Sequence, residues 1–183
     1  MYAKIDENGV IQFLTTKKSD LVIDVTDLGD LAKSGKKLID CYKEQLKKQL
    51  WKLLPQKVKN AKKVIIGKPE MSNEELEIQL ELYWQKYQDA KDGKDVFEAQ
   101  ATAMGLTQEK YRDLVISKGD AFIQMEKQAN DRVEMVRSKM EDNIKLAQTK
   151  EDIQLLQDML KTIDTFTLET PLEDIINALK FKE

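Results

Sequence analysis

The chain has 183 residues, 41% hydrophobic and 34% charged, with a formal net charge of −3 and no histidine. This composition fits amphipathic helices with wide solvated faces better than a doubly covered sheet, and the negative charge argues against an overall nucleic-acid-binding surface. The absence of histidine removes the commonest general base and the commonest metal ligand, so we predict no catalytic residue, no cofactor and no metal site.

Cysteine usage and hydropathy bear on the compartment. Cys41 is the only cysteine, so no intramolecular disulfide can form. The N-terminus has no apolar signal core, and no apolar run approaches the roughly 18 residues that a bilayer span requires. We therefore expect a soluble protein of a reducing, cytoplasmic compartment, without membrane contact.

The first 35 residues carry β-strand signals. Residues 2–5 and 10–14 are β-prone and flank Asn8-Gly9. Asn-Gly is the strongest short hairpin signal, because both residues tolerate the positive φ of a type I′ turn. A hairpin alone is marginally stable in water, so the third β-prone run, residues 21–25, or a helix must cover it. These signals predict a small hairpin or three-strand unit over residues 1–35.

A basic amphipathic helix is predicted over residues 36–54. Its apolar positions follow helical spacing, with lysines on the opposite face: Leu38, Ile39, Tyr42, Leu46, Leu50, Leu53 and Leu54. Pro55 is expected to end this helix, because proline removes a backbone donor and restricts the residue before it. The next segment is ambiguous, since residues 62–66 could form a strand ahead of the break at Gly67.

Clear start signals mark the helices predicted over residues about 73–104. Ser72 and Glu75 have the spacing of a capping box. The apolar positions between residues 76 and 90 are numerous enough for this helix to be covered from two sides. Asp92-Gly93 predicts an interruption, and Gly105 predicts the end of the second run.

The longest helix is predicted over residues about 108–147, capped by Thr107. Its apolar positions recur in steps of three and four and form a stripe along one side. Such a helix would be about 60 Å long, so other helices of the chain or a second chain must cover the stripe. Packing within the chain is favoured, because the stripe lacks the regular Leu and β-branched residues of a two-stranded coiled coil. Gly119 costs about 1 kcal/mol relative to alanine in a helix, so the pattern leaves open whether this helix is straight, bent or broken at that position.

Two shorter helices complete the chain, over residues about 150–164 and about 171–180. Each follows a capping signal, Thr149 and Thr170-Pro171 respectively. The predicted fold class is mainly α (α+β), with a small N-terminal β unit followed by a helical body that contains one long amphipathic helix. The chain is divided accordingly into two regions, residues 1–35 and residues 36–183.

Three motif-like patterns are better explained by structure than by chemistry. Residues 29–37 resemble a phosphate-binding loop, but five residues instead of four separate the glycines, and Lys37 replaces the Mg²⁺-binding Ser or Thr. The aspartates within residues 89–95 lack the alternating spacing and the closing Glu of a calcium loop. The glutamates within residues 74–81 lie in the first turns of a helix, where acidic side chains favour the helix dipole.

The lysine-rich segment from Lys36 to Lys68 has a functional interpretation. It contains eleven lysines against two acidic residues, whereas the remainder of the chain is acidic. Lysines along one side of its helix are candidate partner-binding residues: Lys43, Lys47, Lys48 and Lys52. Tyr42 and Trp51 would stack on bases if exposed, but the lack of arginine and the acidic remainder argue against nucleic acid as the partner. The basic and acidic regions could also face each other.

The apolar stripe of the long helix supplies a second set of candidates. Methionines on or beside it suit an adaptable partner groove, because the methionine side chain is flexible and polarizable. The stripe residues predicted to bind a partner are Phe122, Met125, Val133, Val136 and Met140. The predicted partner is a protein, either a different one or a second copy of this chain bound through residues 108–147.

Several segments share a layout of hairpin, helix junction and long charged helix. They are residues 2–5 (YAKI), 87–90 (YQDA), 97–107 (FEAQATAMGLT), 111–119 (YRDLVISKG) and 170–176 (TPLEDII). This layout resembles that of small proteins from tailed bacteriophages and prophages, which are associated with tail fibres and their assembly. The similar segments and the helices between them cover about half of the chain.

The resemblance implies a non-enzymatic phage or prophage protein that acts through protein contacts, as a minor tail component or a tail or fibre assembly factor. Its location would be the host cytoplasm or the virion. The alternative is a phage-encoded inhibitor that binds a host enzyme or nucleoprotein defence complex through its acidic helical surface. Binding by an acidic surface weakens steeply with salt, whereas apolar binding does not.

Overall fold

The computed structural model describes residues 1–167 and 169–181. The strands are β1 Tyr2–Ile5, β2 Ile11–Thr15 and β3 Ile23–Asp24, followed by a 3₁₀ helix Thr26–Leu31. The α helices are α1 Leu38–Ile65, α2 Asn73–Lys91, α3 Glu98–Ala103, α4 Gln108–Leu146, α5 Lys150–Thr165 and α6 Leu172–Ala178. The prediction of a small β unit followed by a helical body with one long helix is confirmed.

The hairpin is present, but its turn differs from the predicted one. The Asp6 carbonyl accepts the Gly9 N–H at 3.0 Å, so Glu7 and Asn8 are the central turn residues. The Asp6 carboxylate accepts the N–H groups of Asn8 and Val10, both at 2.9 Å. Gly9 follows with a φ of +74°, as in a three-residue hairpin loop with a bulge. The type I′ prediction is therefore wrong, because the Asp6 side chain stabilises an earlier turn.

The sheet has the strand order β2-β1-β3, and both pairings are antiparallel. β3 is shorter than the β-prone run at residues 21–25. The 3₁₀ helix and the start of α1 complete the core of the β unit. The buried residues of this core are Ala3, Ile11, Val25, Leu28, Ala32 and Cys41. Cys41 is thus a fully buried thiol, and this burial raises its pKa above the ordinary range.

Helix α1 continues past Pro55, so the prediction that Pro55 ends the helix is wrong. An internal proline costs a hydrogen bond and about 3 kcal/mol. Pro55 lies on the exposed side of α1, while Leu50 and Leu54 are buried. Burying one leucine side chain contributes about 1.5–3 kcal/mol, so the apolar side of the helix offsets the proline. Residues 62–65 are helical as well and do not form a strand.

The described chain divides into two compact units. Unit 1 consists of residues 1–55 and the described part of 134–183, and unit 2 consists of residues 56–133. These units are not the predicted regions 1–35 and 36–183, because the start of α1 belongs to the core of the β unit. Helices α1 and α4 each contribute one part to each unit.

In unit 1 the apolar sides of α5 and α6 are buried. The buried apolar residues of α5 are Ile153, Leu156, Met159, Leu160 and Ile163. Asn143 of α4 is also buried, and its side-chain amide donates to the Leu179 carbonyl at 3.0 Å. This hydrogen bond satisfies a polar group inside the core and links α4 to the end of α6.

Hydrogen bonds confirm the predicted starts of α2, α4 and α5. Capping boxes join two pairs of residues, Ser72 with Glu75 and Thr149 with Asp152. The Thr107 hydroxyl accepts the Lys110 N–H at 3.3 Å at the start of α4. The predicted interruption is confirmed too, since α2 ends at Lys91 and α3 begins at Glu98. Local sequence signals therefore locate these helix boundaries correctly.

Candidate functional site

An open apolar groove lies in unit 2, between the end of α1, α2 and the first half of α4. Its volume of about 490 Å³ falls within the range of sites that bind ligands in proteins. The apolar lining includes Ile65 of α1, Leu80 and Trp84 of α2, and Leu114 and Phe122 of α4. On α2 and on α4 the lining residues recur at helical spacing, so they lie on one side of each helix and face the same space.

Gly119 of α4 lines this groove and lies against the side chain of Tyr87 of α2. The ring of Tyr87 packs directly on Gly119, and a Cβ at that position would overlap the ring carbons. Tyr87 is buried, although its ring carries a polar hydroxyl. The glycine in the middle of α4 therefore makes room for the Tyr87 ring, and α4 is continuous through this position, without a break.

A small charged cluster fixes this contact. The Tyr87 hydroxyl donates to Asp120 at 2.5 Å, and Lys91 lies 3.6 Å from the same carboxylate. The hydroxyl and then the ammonium group hold the pKa of Asp120 below its usual range. The Lys91 ammonium lies 4.9 Å from the Tyr87 ring centroid, and its contacts with Tyr87 and Asp120 raise the pKa of Lys91.

Aromatic contacts hold the side of the groove next to this cluster. The rings of Trp84 and Tyr87 meet edge to face with their centroids 5.7 Å apart. Trp84 also meets Phe122 of α4 edge to face, at 6.4 Å. Such geometry is favourable for aromatic pairs and fixes the orientation of the indole. One wall of the groove is thus ordered before any partner binds.

Large apolar side chains are exposed at the mouth of the groove. The exposed fraction is 48% for Tyr83, 38% for Trp84, 55% for Met104 and 43% for Met125. Contiguous apolar exposure of this kind marks sites of protein or ligand binding. Aromatic residues and methionine are also the residue types enriched in protein interfaces. The groove therefore combines an ordered aromatic wall with adaptable methionines.

Two lysines give the groove a positive edge. Lys86 of α2 and Lys118 of α4 both line it, and Lys118 is exposed. Neither ammonium group pairs with a carboxylate in residues 1–167 and 169–181. The polar part of the lining is therefore cationic, which favours a partner with acidic groups beside its apolar residues.

The structure places the predicted apolar candidates in different surroundings. Phe122 and Met125 line the groove. Val133 is half-buried, whereas Val136 and Met140 are fully buried in unit 1. The stripe changes from open to covered along α4, so Val136 and Met140 serve the core and are not accessible to a partner.

Contacts within unit 1 occupy two of the four predicted lysines. The Lys43 ammonium donates to the Lys145 carbonyl near the end of α4 at 3.4 Å, a favourable position at a helix C-terminus. Lys48 pairs with Glu44 at 3.2 Å, and Glu44 pairs with Lys36 as well. These two lysines hold the pKa of the Glu44 carboxyl below its usual range. The remaining two candidates are exposed: Lys47 and Lys52.

The aromatic residues of α1 do not form a base-stacking surface. Tyr42 is half-buried against the core of the β unit, and this burial raises its pKa. Trp51 is exposed, but the Arg137 guanidinium lies 5.0 Å from its ring centroid. One face of the indole is therefore already in contact with a cation.

Two of the lysines that follow Pro55 pair with acidic residues of unit 2. Lys62 of α1 and Glu126 of α4 are 2.5 Å apart, and both side chains are largely shielded from solvent. Lys59 pairs with Glu77 of α2 at 3.0 Å. The interpretation in which basic and acidic regions face each other thus accounts for part of the basic segment.

The phosphate-loop-like segment pairs with the hairpin. The Gly35 N–H donates to the Ile11 carbonyl at 2.7 Å, and the Ile11 N–H donates to the Lys36 carbonyl at 2.8 Å. The Ser34 hydroxyl donates to the Gln12 carbonyl at 2.6 Å. A phosphate-binding loop needs backbone N–H groups that point at the anion, and here the Gly35 N–H donates to the hairpin instead.

The described residues bear on metal binding and on membrane insertion. Within residues 1–167 and 169–181, no group of three or more His, Cys, Asp or Glu side chains is arranged to hold a metal ion. In the part of the chain that the structure describes, no helix combines the length and the apolar content that crossing a membrane requires. Within residues 89–95, the Lys94 ammonium pairs with the Asp89 carboxylate at 2.6 Å. An ammonium group therefore occupies the place beside this aspartate where a calcium ion would have to bind.

The sequence candidates omit the residues of α2 that form much of the groove. Tyr83 and Trp84 line it, while Ile78 and Leu82 are exposed on another side of the same helix. The available signal was the breadth of the apolar set between residues 76 and 90, which exceeds what one neighbouring helix can cover. That breadth predicted that neighbouring elements cover α2 on two sides, but it did not indicate which side of the helix remains open.

Comparison of the chain with protein-family models, curated proteins and solved structures finds no match. The function is therefore inferred from the residues and contacts of this chain. The groove of unit 2 combines exposed apolar side chains with a positive charge at its edge.

Proposed function

We propose that this chain is a non-enzymatic phage or prophage protein that acts through protein–protein contacts, as a minor tail component or a tail or fibre assembly factor. The observation that carries the proposal is the open apolar groove of unit 2, with Trp84, Phe122 and Met125 at its surface. Keeping large apolar side chains exposed favours association, because burial of each contributes about 1.5–3 kcal/mol.

The geometry of the groove supports a protein partner. An amphipathic helix binds such grooves through apolar residues at positions i, i+3, i+4 and i+7. The α4 lining extends from Tyr111 to Met125, which corresponds to about 21 Å along the helix axis or about four helical turns. The phage assignment is supported by the resemblance of residues 87–119 to tail-associated proteins.

A capture experiment with matched variants tests the proposal. Tagged protein is used to capture partners from lysate of the producing strain, before and after prophage induction, at low and high salt. Met125→Glu places a charge in the groove, and Leu146→Glu makes the same change at an exposed leucine of unit 1 on the same helix. Mass spectrometry then identifies and quantifies the captured proteins.

We expect tail or fibre proteins to be captured after induction, to remain at high salt and to be lost with Met125→Glu only. Capture that is equal for Met125→Glu and the wild type would exclude the groove as the docking site. Capture of a host enzyme or nucleoprotein that disappears at high salt would instead support the inhibitor alternative, with the exposed glutamates of α2 as its surface.

A further inference from the structure

Helix α2 carries a second apolar surface that is separate from the groove. Ile78 and Leu82 are 60% and 54% exposed and lie one turn apart. Ile78 follows the buried Leu76 by two residues, so it lies about 200° around the helix from that core position. We name Ile78 and Leu82, with the glutamates next to them, the outer face of α2.

The outer face is acidic as well as apolar. Glu74 precedes Ile78 by four residues and Glu81 follows it by three, so both lie on the same side of the helix as Ile78. Both glutamates are exposed, and neither pairs with a cation in the described ranges 1–167 and 169–181. The outer face thus has the form of an amphipathic helix surface with carboxylates at its edge.

The groove has the complementary character. Its walls are apolar, its mouth is about four turns long on the α4 side, and Lys118 of α4 adds a positive charge at the edge. The outer face runs from Glu74 to Leu82, about 12 Å or about two turns of α2, so it fits within the length of the groove. An acidic amphipathic helix is therefore the class of ligand that matches the groove in shape, polarity and charge.

We infer that the groove of one copy binds the outer face of α2 from a second copy of this chain. This inference rests on the proposed role of the groove as a protein-docking site and names its occupant. The glutamates beside Ile78 would lie near Lys118 of the other copy, while Ile78 and Leu82 enter between the aromatic wall and Met125. Docking buries Ile78 and Leu82 of one copy against the exposed apolar side chains at the mouth of the groove of the other.

The contact is heterologous, because the outer face and the groove are different surfaces. A heterologous contact leaves one unoccupied groove and one unoccupied outer face on every dimer. Further copies can therefore add at both ends. The assembly forms a ring if the rotation between copies closes, and a filament if it does not.

Sedimentation velocity and light scattering of the full chain test the inference, over concentrations from about 1 μM to about 100 μM. Ile78→Lys inactivates the outer face, and Met125→Glu inactivates the groove. Both positions are exposed, so the variants are expected to fold, which circular dichroism checks. We expect the wild type to grow in mass with concentration and each variant to need at least about tenfold more protein for the same mass.

Mixing the two variants gives the decisive result. Ile78→Lys keeps an intact groove, and Met125→Glu keeps an intact outer face, so an equimolar mixture should form a 1:1 dimer that cannot grow further. Failure of the mixture to form this dimer, or a wild type that is monomeric at every concentration, would overturn the inference. Neither result would affect the capture of tail proteins, so the proposed function is tested separately.

Charge reversal tests the orientation of the contact. Lys118→Glu places a negative charge at the edge of the groove, and Lys139→Glu makes the same change at another exposed lysine of α4, in unit 1. We expect Lys118→Glu to weaken self-association about tenfold and Lys139→Glu to leave it unchanged. Equal effects of the two variants would overturn docking of the acidic outer face.

Discussion

Helix α5 of unit 1 and helix α2 of unit 2 begin with the same capping box and differ in how their apolar residues are covered. α5 has 16 residues and buries five apolar side chains along one side. α2 has 19 residues and buries three, while Ile78, Leu82, Tyr83 and Trp84 remain exposed. The same kind of capping signal thus starts α5, whose apolar side is buried in the core, and α2, which leaves part of its apolar surface exposed.

This difference separates stability from binding within one chain. In α5 the burial of apolar area stabilises unit 1, and the buried face matches the helical period. In α2 a similar apolar content extends around the helix beyond the side that α4 covers, so part of it contributes no folding energy. Residues of this kind are retained for contacts with another molecule, or they promote aggregation.

The largest predicted effect is in the covered helix. Leu156→Ala removes a fully buried side chain from α5 and should lower the free energy of unfolding by about 2–5 kcal/mol, because it leaves a cavity. Leu155→Ala is the matched control, since Leu155 is 39% exposed on the same helix and should cost less than about 1 kcal/mol. Urea denaturation measures both, and equal losses would contradict the assignment of a closed core to α5.

The next effect concerns the contact between α2 and α4. Gly119→Ala should lower the free energy of unfolding, because the added methyl group overlaps the Tyr87 ring at a cost of about 1–3 kcal/mol. Alanine otherwise stabilises a helix interior by about 1 kcal/mol relative to glycine, so the net loss is up to about 2 kcal/mol. Ser138→Ala, at an exposed position of α4, controls for the gain in helix propensity.

A change of sign sharpens this prediction. In a Tyr87→Ala background the ring is gone, so Gly119→Ala should become stabilising by its helix propensity alone. The measurement is a double-mutant cycle of unfolding free energies. A loss of the same size in both backgrounds would show that Gly119 is required for a reason other than the close approach of Tyr87.

A smaller effect depends on pH. The Tyr87 hydroxyl, with Lys91, lowers the pKa of Asp120 in the folded chain. This interaction stabilises unit 2 above the unfolded aspartate pKa of about 3.9, and the contribution is lost as the pH falls through the lowered folded value. Asp120→Asn should therefore destabilise the protein at pH 7, and the gap to the wild type should shrink at pH 3.

Asp113→Asn provides the control for this pH dependence. Asp113 is an exposed aspartate on the same helix, and its substitution should produce no gap at either pH. Urea midpoints measured at the two pH values give the comparison. A gap for Asp120→Asn that is independent of pH would show that its carboxylate charge plays no part in the contact.

Sequence patterns predicted the parts of the fold that depend on local interactions. Capping residues such as Ser72 and Thr149 located helix starts, because a cap satisfies backbone donors within one turn. The length of α4 was also predictable, since its apolar period continues through Gly119. The turn at Asp6 and the continuation of α1 past Pro55 were missed, because side-chain hydrogen bonds and burial on the opposite side overrode the local preference.

The candidate site was predicted only in part, for a different reason. Phe122 and Met125 were found from the stripe of α4, yet Val136 and Met140 on the same stripe are buried. Periodicity identifies an apolar side of a helix but carries no information on which stretch of it a neighbouring helix covers. The groove also depends on contacts between helices, such as the Tyr87 ring on Gly119, which no local pattern records.

The smallest predicted effect on stability comes from the outer face of α2. Ile78→Ser and Leu82→Ser should each change the free energy of unfolding by less than about 0.5 kcal/mol, because both side chains are more than half exposed. The same substitutions should reduce the self-association of the chain, since they remove apolar area that only a second molecule can bury. Thermal unfolding at a concentration that keeps the protein monomeric measures the first effect, and sedimentation measures the second. A large loss of stability would mean that the outer face is covered in the folded monomer, and the contrast between α5 and α2 would then disappear.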